Sequence, residues 1–316
     1  MRRPSLSIVT SAATAAVALT LVSVSAQPPQ VRRPADQVFR AAVEMVSLNV
    51  TVTDQKQHYL TDLDSKDFTI LEDGARQDIT YFNRTTLPIA LSLLIDTSAS
   101  MEQRLGTAQE AAVGFAKKLR AQDLAQVVDF DTRVEILQNF TSDAAALETA
   151  IRGTTAGGST SMYNALYISL KELVKMQAKS DDEVRRRAVV LLSDGEDTSS
   201  LVTFEEVLDL AKRSATTIYA IGLQSRESSL SKGFREAEFV LRQLAQETGG
   251  RAYFPLRAED LGGIYGEIAD ELASQYVLGY ASTNPKRDGA WRRLNVQVGR
   301  QGTTARTKRG YFAPAS

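Results

Sequence analysis

Three short polar segments carry the residues best suited to chemistry. Asp96, Ser98 and Ser100 alternate directly after an apolar run. Thr160 follows a Gly-Gly pair, and Asp194 closes a second apolar run. These two carboxylates and three hydroxyls are hard oxygen ligands of the kind that suit Mg²⁺, Mn²⁺ or Ca²⁺. The residue types therefore indicate a divalent metal site.

Each segment also has an ordinary structural interpretation. Ser100 would serve as the N-cap of a following helix. An Asp-Gly pair after a strand is typical of a turn, and a Gly-Gly pair is typical of a flexible loop. The order of the segments favours a metal site, because parallel strands bring their carboxyl ends to one edge of a sheet. The sequence predicts a single site built from all three segments.

The elements that would position this site occupy residues 88–275. Apolar strands are predicted at 89–95, 125–130, 134–140, 188–192, 217–223 and 252–254. Amphipathic helices are predicted at 105–119, 142–151, 162–176, 204–212, 236–247 and 259–272. This alternation predicts an α/β fold, a doubly wound and mostly parallel Rossmann-like sheet.

Two β-rich segments, residues 39–86 and 276–316, flank that region. Their strands are predicted at 45–53, 67–72, 79–82, 276–280, 294–298 and 304–312, with an Asp73-Gly74 turn. The first strand of the central sheet starts at the edge where the last helix ends. We therefore expect the two segments to form one small accessory β module, opposite the edge that binds ligands.

The amino terminus has the features of a secretory signal peptide. Two arginines precede an apolar stretch at 8–24, and Val24-Ser25-Ala26 provides small residues for cleavage. Residues 1–26 are thus predicted to be a signal peptide and 27–38 a proline-containing linker. We expect an exported protein, periplasmic or extracellular, with no membrane span after cleavage. An uncleaved membrane anchor is the alternative.

The composition argues against several classes of function. The chain has no cysteine, which excludes a thiol nucleophile, a zinc–thiolate site and an iron–sulfur cluster. With 37 basic and 38 acidic residues, it gives no reason to expect nucleic acid as a partner. Arg185–Arg187 is interpreted as a charged surface stretch. A Ser–His–Asp triad would need His58, the only histidine, which falls in a polar turn. Catalysis is not expected.

The stretches LLIDTSASM, GGSTSMYNAL and VVLLSDGED resemble the metal-ion-dependent adhesion site of von Willebrand factor type A domains. The resemblance covers residues 88–275. It implies five metal ligands: Asp96, Ser98, Ser100, Thr160 and Asp194. Ser159 is the alternative to Thr160. It also implies that the hydroxyls bind the metal directly while the aspartates often act through water.

The same resemblance implies a function. A metal with mostly neutral ligands can accept an Asp or Glu carboxylate from a partner protein, which is how the family typically binds proteins. The flanking segments resemble an exported von Willebrand A-related subfamily abundant in acidobacteria. We therefore expect an exported, metal-dependent adhesion or scaffold module. A structural envelope module with a vestigial metal site and a metal-assisted hydrolase are the alternatives.

Overall fold

The computed structural model describes residues 45–84, 87–177, 185–194, 196–223 and 232–315. The signal peptide and linker expected from the sequence lie outside these ranges, as do residues 39–44 of the amino-terminal β segment. Within the described ranges, no helix combines the length and the apolar character needed to cross a membrane.

The strands and helices are numbered in chain order. The strands are β1 (Met45–Asp54), β2 (Phe68–Glu72), β3 (Ala75–Gln77), β4 (Ile79–Asn83), β5 (Ile89–Asp96), β6 (Leu124–Phe130), β7 (Val134–Thr141), β8 (Arg186–Ser193), β9 (Thr217–Gly222), β10 (Ala252–Tyr253), β11 (Tyr276–Ala281), β12 (Trp291–Val298), β13 (Thr303–Arg306) and β14 (Gly310–Phe312). The helices are α1 (Leu105–Ala116), α2 (Ala144–Arg152), α3 (Met162–Gln177), α4 (Phe204–Ser214), α5 (Lys232–Thr248) and α6 (Leu261–Ser274).

A six-stranded sheet with the order β10-β9-β8-β5-β6-β7 lies at the centre of the fold. Neighbouring strands are parallel except for β6 and β7, which are antiparallel. One face packs against α1, α2 and α6, and the other against α3, α4 and α5. Every residue of β5 is buried, because helices cover the sheet on both sides. The predicted doubly wound, mostly parallel sheet is confirmed.

The flanking segments form an accessory module of two four-stranded sheets, with the orders β13-β1-β11-β4 and β14-β12-β2-β3. Strands from the two ends of the chain pair antiparallel in both sheets, β1 with β11 and β2 with β12. The sheets share an apolar core that includes Leu48, Val50, Phe68 and Tyr276. The predicted accessory β module made by both segments is therefore confirmed.

One predicted strand of that module is wrong. Residues 304–312 do not form a single strand, because β13 pairs with β1 while β14 pairs with β12 in the other sheet. Gly310 permits the change of sheet, since a Cβ there would lie 2.4 Å from the carbonyl oxygen of Arg292. An alternating pattern predicts extended backbone but carries no information about which strand will be the partner.

The accessory module is attached at the amino ends of the central strands. The Arg186 guanidinium, at the start of β8, donates to Gln275 Oε1 at 2.6 Å, next to β11. The buried Glu271 carboxylate accepts from Tyr219 Oη of β9 at 2.8 Å and from Thr51 Oγ1 of β1 at 3.2 Å. These contacts leave the carboxyl ends of the strands free of the module, as expected.

Candidate metal centre

Asp96 is the last residue of β5, and its side chain is fully buried. The backbone N–H of Ser98 donates to Asp96 Oδ1 at 2.9 Å, and the Ser193 hydroxyl donates to Asp96 Oδ2. Burial raises the pKa of the Asp96 carboxyl to about 6, although these hydrogen bonds act in the opposite direction. Within the described part of the chain, no lysine or arginine forms an ion pair with Asp96.

A chain of hydrogen bonds joins Asp96 to Asp194, which follows the last residue of β8. The Ser98 and Ser100 hydroxyls are hydrogen-bonded at 3.1 Å, and Ser100 Oγ donates to Asp194 Oδ1 at 2.7 Å. Asp194 Oδ2 also accepts a hydrogen bond from the Arg104 guanidinium at 2.7 Å. The fold therefore brings four of the five residues expected from the sequence into one connected cluster.

The N-cap interpretation of Ser100 is wrong. Ser100 lies within a short 3-10 turn, Ala99–Met101, and the N-cap position of α1 falls at Arg104. The Ser100 hydroxyl is directed to the Asp194 carboxylate instead of to the backbone of a following turn.

Thr160 lies in the neighbouring loop and is buried. That loop is joined to the Asp96 loop by backbone hydrogen bonds. The Gly157 N–H donates to Thr97 O at 2.7 Å, and the Ala99 N–H donates to Gly158 O at 3.2 Å. The Thr160 hydroxyl is not itself part of the hydrogen-bonded cluster within the described residues.

The segment 197–200 holds the Thr160 loop in place. The Thr160 N–H donates to Thr198 Oγ1 at 3.0 Å, and the Thr198 N–H donates back to Thr160 O at 2.9 Å. The Asp197 carboxylate accepts the Tyr163 N–H at 2.8 Å, in the first turn of α3. Asp197 therefore caps α3 from a distant part of the chain.

Gly158 fits a position where few other residues can. Its φ is +70°, and a Cβ there would lie 2.6 Å from Thr132 Oγ1. The Thr132 hydroxyl accepts the N–H of Ser159 at 2.9 Å. The Ser159 side chain is exposed, while that of Thr160 is buried. The two candidate hydroxyls in this loop therefore differ clearly in their surroundings.

Two members of the cluster were missed by the sequence analysis. Arg104 and Ser193 contact Asp194 and Asp96 respectively, from positions about ninety residues away along the chain. No local pattern indicates such contacts, because they depend on how the strands are ordered in the sheet. His58 is exposed and pairs with Asp54 in the accessory module, so it offers nothing to this cluster.

The donor set suits a hard cation. Within the described residues, no group of three or more histidine, aspartate and glutamate side chains converges as a metal site. Two carboxylates and three hydroxyls, those of Ser98, Ser100 and Ser193, are connected in the cluster, and Thr160 adds a further hydroxyl in the adjoining loop. Oxygen donors of this kind favour Mg²⁺, Mn²⁺ or Ca²⁺ over softer metals.

Residues 91–196 match the family model of the von Willebrand factor type A domain. The chain contains a von Willebrand factor type A domain. The matched residues run from β5 to just beyond Asp194, so they include the whole of the hydrogen-bonded cluster. In this von Willebrand A domain, the central sheet places the cluster at the carboxyl ends of β5 and β8.

Comparison with other proteins gives one sequence relative and several similar structures. An uncharacterized protein of Synechocystis sp. is 34% identical over 113 residues, which cover 35% of this chain and 26% of the relative. The chain thus matches about a quarter of that relative's length.

Three solved structures illustrate the structural likenesses of the von Willebrand A domain. A von Willebrand factor type A protein from Catenulispora acidiphila has a TM-score of 0.49 at 12% identity, covering 87% of this chain and 76% of its own. The corresponding domain of the type V pili tip protein Mfa5 from Porphyromonas gingivalis has a TM-score of 0.48 at 17% identity. The match covers 59% of this chain and 95% of the Mfa5 domain. The mussel byssus proximal thread matrix protein 1 with a zinc-occupied MIDAS motif has a TM-score of 0.49 at 16% identity. The match covers 60% of this chain and 49% of the mussel protein.

Proposed function

We propose that this protein is an exported binding module whose von Willebrand A domain uses a divalent cation to capture an acidic residue of a partner protein. Mg²⁺ is the expected ion, with Mn²⁺ and Ca²⁺ as chemically similar alternatives. The proposed ligands, acting directly or through water, are Asp96, Ser98, Ser100, Thr160 and Asp194.

The observation that carries this proposal is the burial of the Asp96 carboxyl group without a cationic partner among the described residues. Its carboxylate is fully buried and receives hydrogen bonds only from hydroxyl and amide groups within the described residues. A buried charge without a counter-charge costs several kcal/mol. A divalent cation beside the Ser98 and Ser100 hydroxyls would supply that counter-charge.

The surroundings of Asp194 fit an indirect role. Both of its oxygens already accept hydrogen bonds, one from Ser100 and one from Arg104. An aspartate in this position would orient water on the metal while the neutral hydroxyls bind it directly. A cation with few charged ligands retains a strong attraction for an external carboxylate. This supports an Asp or Glu of the partner as the final ligand.

Thr160 is the better candidate than Ser159 for the remaining hydroxyl. Thr160 is buried in the loop that hydrogen-bonds the Asp96 loop, whereas Ser159 is exposed and its backbone is bound to Thr132. We propose 88–275 as the extent of the von Willebrand A domain, between β segments 39–86 and 276–316. Export follows from the proposed signal peptide at 1–26, placing the protein in the periplasm or outside the cell.

The first test measures metal binding by titration calorimetry with MgCl₂. Wild type and Asp62→Asn are expected to bind Mg²⁺, while Asp96→Asn is expected not to bind it. Asp62 is a matched control because it is an exposed aspartate that pairs with Arg300 in the accessory module. Absence of Mg²⁺ binding by wild type would contradict the proposal and favour a structural module with a vestigial site.

The second test concerns the partner. The same three proteins would be immobilised and exposed to cell-envelope extract, with Mg²⁺ or with EDTA. Partner binding should require both Mg²⁺ and Asp96, and an excess of free glutamate peptide should reduce it. Capture of the same proteins under every condition would contradict metal-dependent recognition. Hydrolysis is not expected, since His58 lies far from the cluster in an exposed turn.

A further inference from the structure

A second charged region lies between the accessory module and the amino ends of β8 and β9. A cavity of about 280 Å³ opens there. We call it the seam cavity and define it by six of its lining residues: Tyr81, Arg186, Arg187, Val277, Thr307 and Lys308. It is at the opposite edge of the central sheet from the candidate metal centre.

Two cationic side chains of the seam cavity, Arg187 and Lys308, have no acidic partner among the described residues. Neither Arg187 nor Lys308 forms a side-chain hydrogen bond or an ion pair within the described part of the chain. Burial lowers the pKa of both side chains. For Lys308, the positive charge of the neighbouring Arg187 lowers the pKa further, to about 8. The interpretation of Arg185–Arg187 as a surface stretch is wrong for Arg186, which is only 5% exposed.

Asp123, the acidic residue whose charge acts on Arg186, is already paired. Asp123 accepts hydrogen bonds from Arg120 on both carboxylate oxygens, at 2.9 and 3.0 Å, and from the Ile89 N–H. Arg186 donates to an amide and to a backbone carbonyl, at Gln275 and Leu87, and so gains no negative charge. The excess positive charge of the seam cavity is therefore not balanced by these neighbours.

The other groups in the cavity complement these cations. Thr307 Oγ1 is buried and has no hydrogen-bond partner among the described residues. A buried hydroxyl of this kind normally has a partner. Met45, Tyr81 and Val277, from β1, β4 and β11 of the accessory module, add largely apolar surface to the lining. A ligand that suits both the cations and this apolar surface would join an anionic oxygen group to an apolar body.

We propose that the seam cavity binds a small organic oxyanion, a carboxylate or phosphate attached to an apolar body. Arg187 and Lys308 bind the anionic oxygens, Thr307 donates its hydroxyl, and the apolar surface contacts the remainder. The distribution of unpaired groups supports this chemistry, since Arg187 and Lys308 are half-buried and a partly desolvated charge is costly unless a ligand satisfies it. The site is independent of the metal centre and of its partner.

The test is titration calorimetry of the full protein with four probes: hexanoate, hexyl phosphate, inorganic phosphate and hexanol. At least one of the two amphiphilic anions should bind wild type, and hexanol should not. Comparison of hexanoate with hexyl phosphate identifies the preferred oxyanion. Inorganic phosphate should bind at least tenfold more weakly than the preferred amphiphile, because it lacks an apolar body.

Variants then assign the binding to the cavity. Lys308→Met and Arg187→Met should each weaken binding about tenfold or more, since each removes a buried charge-assisted contact. Lys56→Met, which removes an exposed lysine of the accessory module, should bind as wild type does. Thermal unfolding of each variant would show that the fold is intact. Equal binding by all four proteins, equal binding of hexanol, or no binding of either amphiphile to wild type would overturn the proposal.

Discussion

Two buried carboxylates, Glu72 in the accessory module and Asp96 in the central sheet, are balanced in different ways. Glu72 is 2% exposed, accepts from Tyr280 Oη at 2.7 Å and pairs with the buried Arg292 at 3.2 Å. Burial alone would raise the pKa of Glu72, but its hydrogen bonds and the Arg292 charge outweigh burial and lower it. Asp96 is as deeply buried, has hydroxyl and amide donors without a cation, and its pKa is raised to about 6.

The difference distinguishes the structural carboxylate Glu72 from Asp96, whose carboxylate is proposed to bind a ligand. The Glu72 carboxylate is paired within the chain, and its role is to stabilise the accessory module. The charge of Asp96 is not satisfied by the described residues, and unmatched buried charges concentrate at functional sites. Within the described residues the cations show the same contrast, because Arg292 is paired whereas Lys308 is not.

The largest expected effect comes from breaking the balanced pair. Arg292→Met should lower the free energy of unfolding by about 3–5 kcal/mol, because it leaves Glu72 charged and buried without its partner. Urea denaturation would measure the loss. Arg293→Met is the matched control in the same strand, since Arg293 is exposed, and it should change stability by less than about 0.5 kcal/mol. Similar losses in both variants would show that the pair is not the stabilising feature.

Mg²⁺ should compensate the unbalanced carboxylate. At a concentration one hundred times its dissociation constant, Mg²⁺ should raise the free energy of unfolding of wild type by about 2.7 kcal/mol, because only the folded state holds the site. Asp96→Asn should show no such rise. In EDTA this variant should be at least as stable as wild type, whereas Glu72→Gln should be less stable than wild type. A rise of equal size in wild type and Asp96→Asn would place the ion elsewhere.

The pH dependence of stability should reveal the unbalanced lysine. An unfolded lysine titrates near pH 10.5, whereas burial lowers the pKa of Lys308 to about 8 in the folded protein. Between these values the unfolded state binds more protons, so the contribution of Lys308 to stability rises with pH. Below pH 8, Lys308→Met should be more stable than wild type by about 2 kcal/mol, and the difference should vanish above pH 10.5. Denaturation of both proteins from pH 7 to 11 would measure it, and a difference independent of pH would contradict the buried charge.

The sequence predicted the position of the candidate site better than its internal contacts. Buried strands and amphipathic helices alternate along the chain, and this pattern is sufficient to place the ends of β5 and β8 at one edge of the sheet. It predicted that Asp96 and Asp194 would lie near each other, which the structure shows. It did not predict Arg104 beside Asp194, because an arginine at the start of a helix has many possible neighbours.

The seam cavity could not be predicted for a similar reason. Arg187 and Lys308 are far apart in the chain, and they meet only because β14 follows a change of sheet after residue 306. Sequence patterns distinguish buried from exposed positions along one element. They do not show whether a charged residue on one element will pair with an opposite charge on another element. The presence of such a pair is what distinguishes Glu72 from Asp96.

The smallest expected effect would show how Arg104 influences the metal centre. Its guanidinium lies 2.7 Å from Asp194 Oδ2, so it supplies a positive charge where a cation is proposed to bind. Arg104→Met should tighten Mg²⁺ binding about three- to tenfold, because removing a like charge several ångströms away contributes about 1 kcal/mol at a partly exposed site. Calorimetric titration of both proteins would measure the change. In EDTA the same variant should be less stable than wild type, since Asp194 then lacks its only ion pair among the described residues. Weaker Mg²⁺ binding would instead mean that Arg104 orients Asp194 for the metal, and that its charge does not compete with the ion.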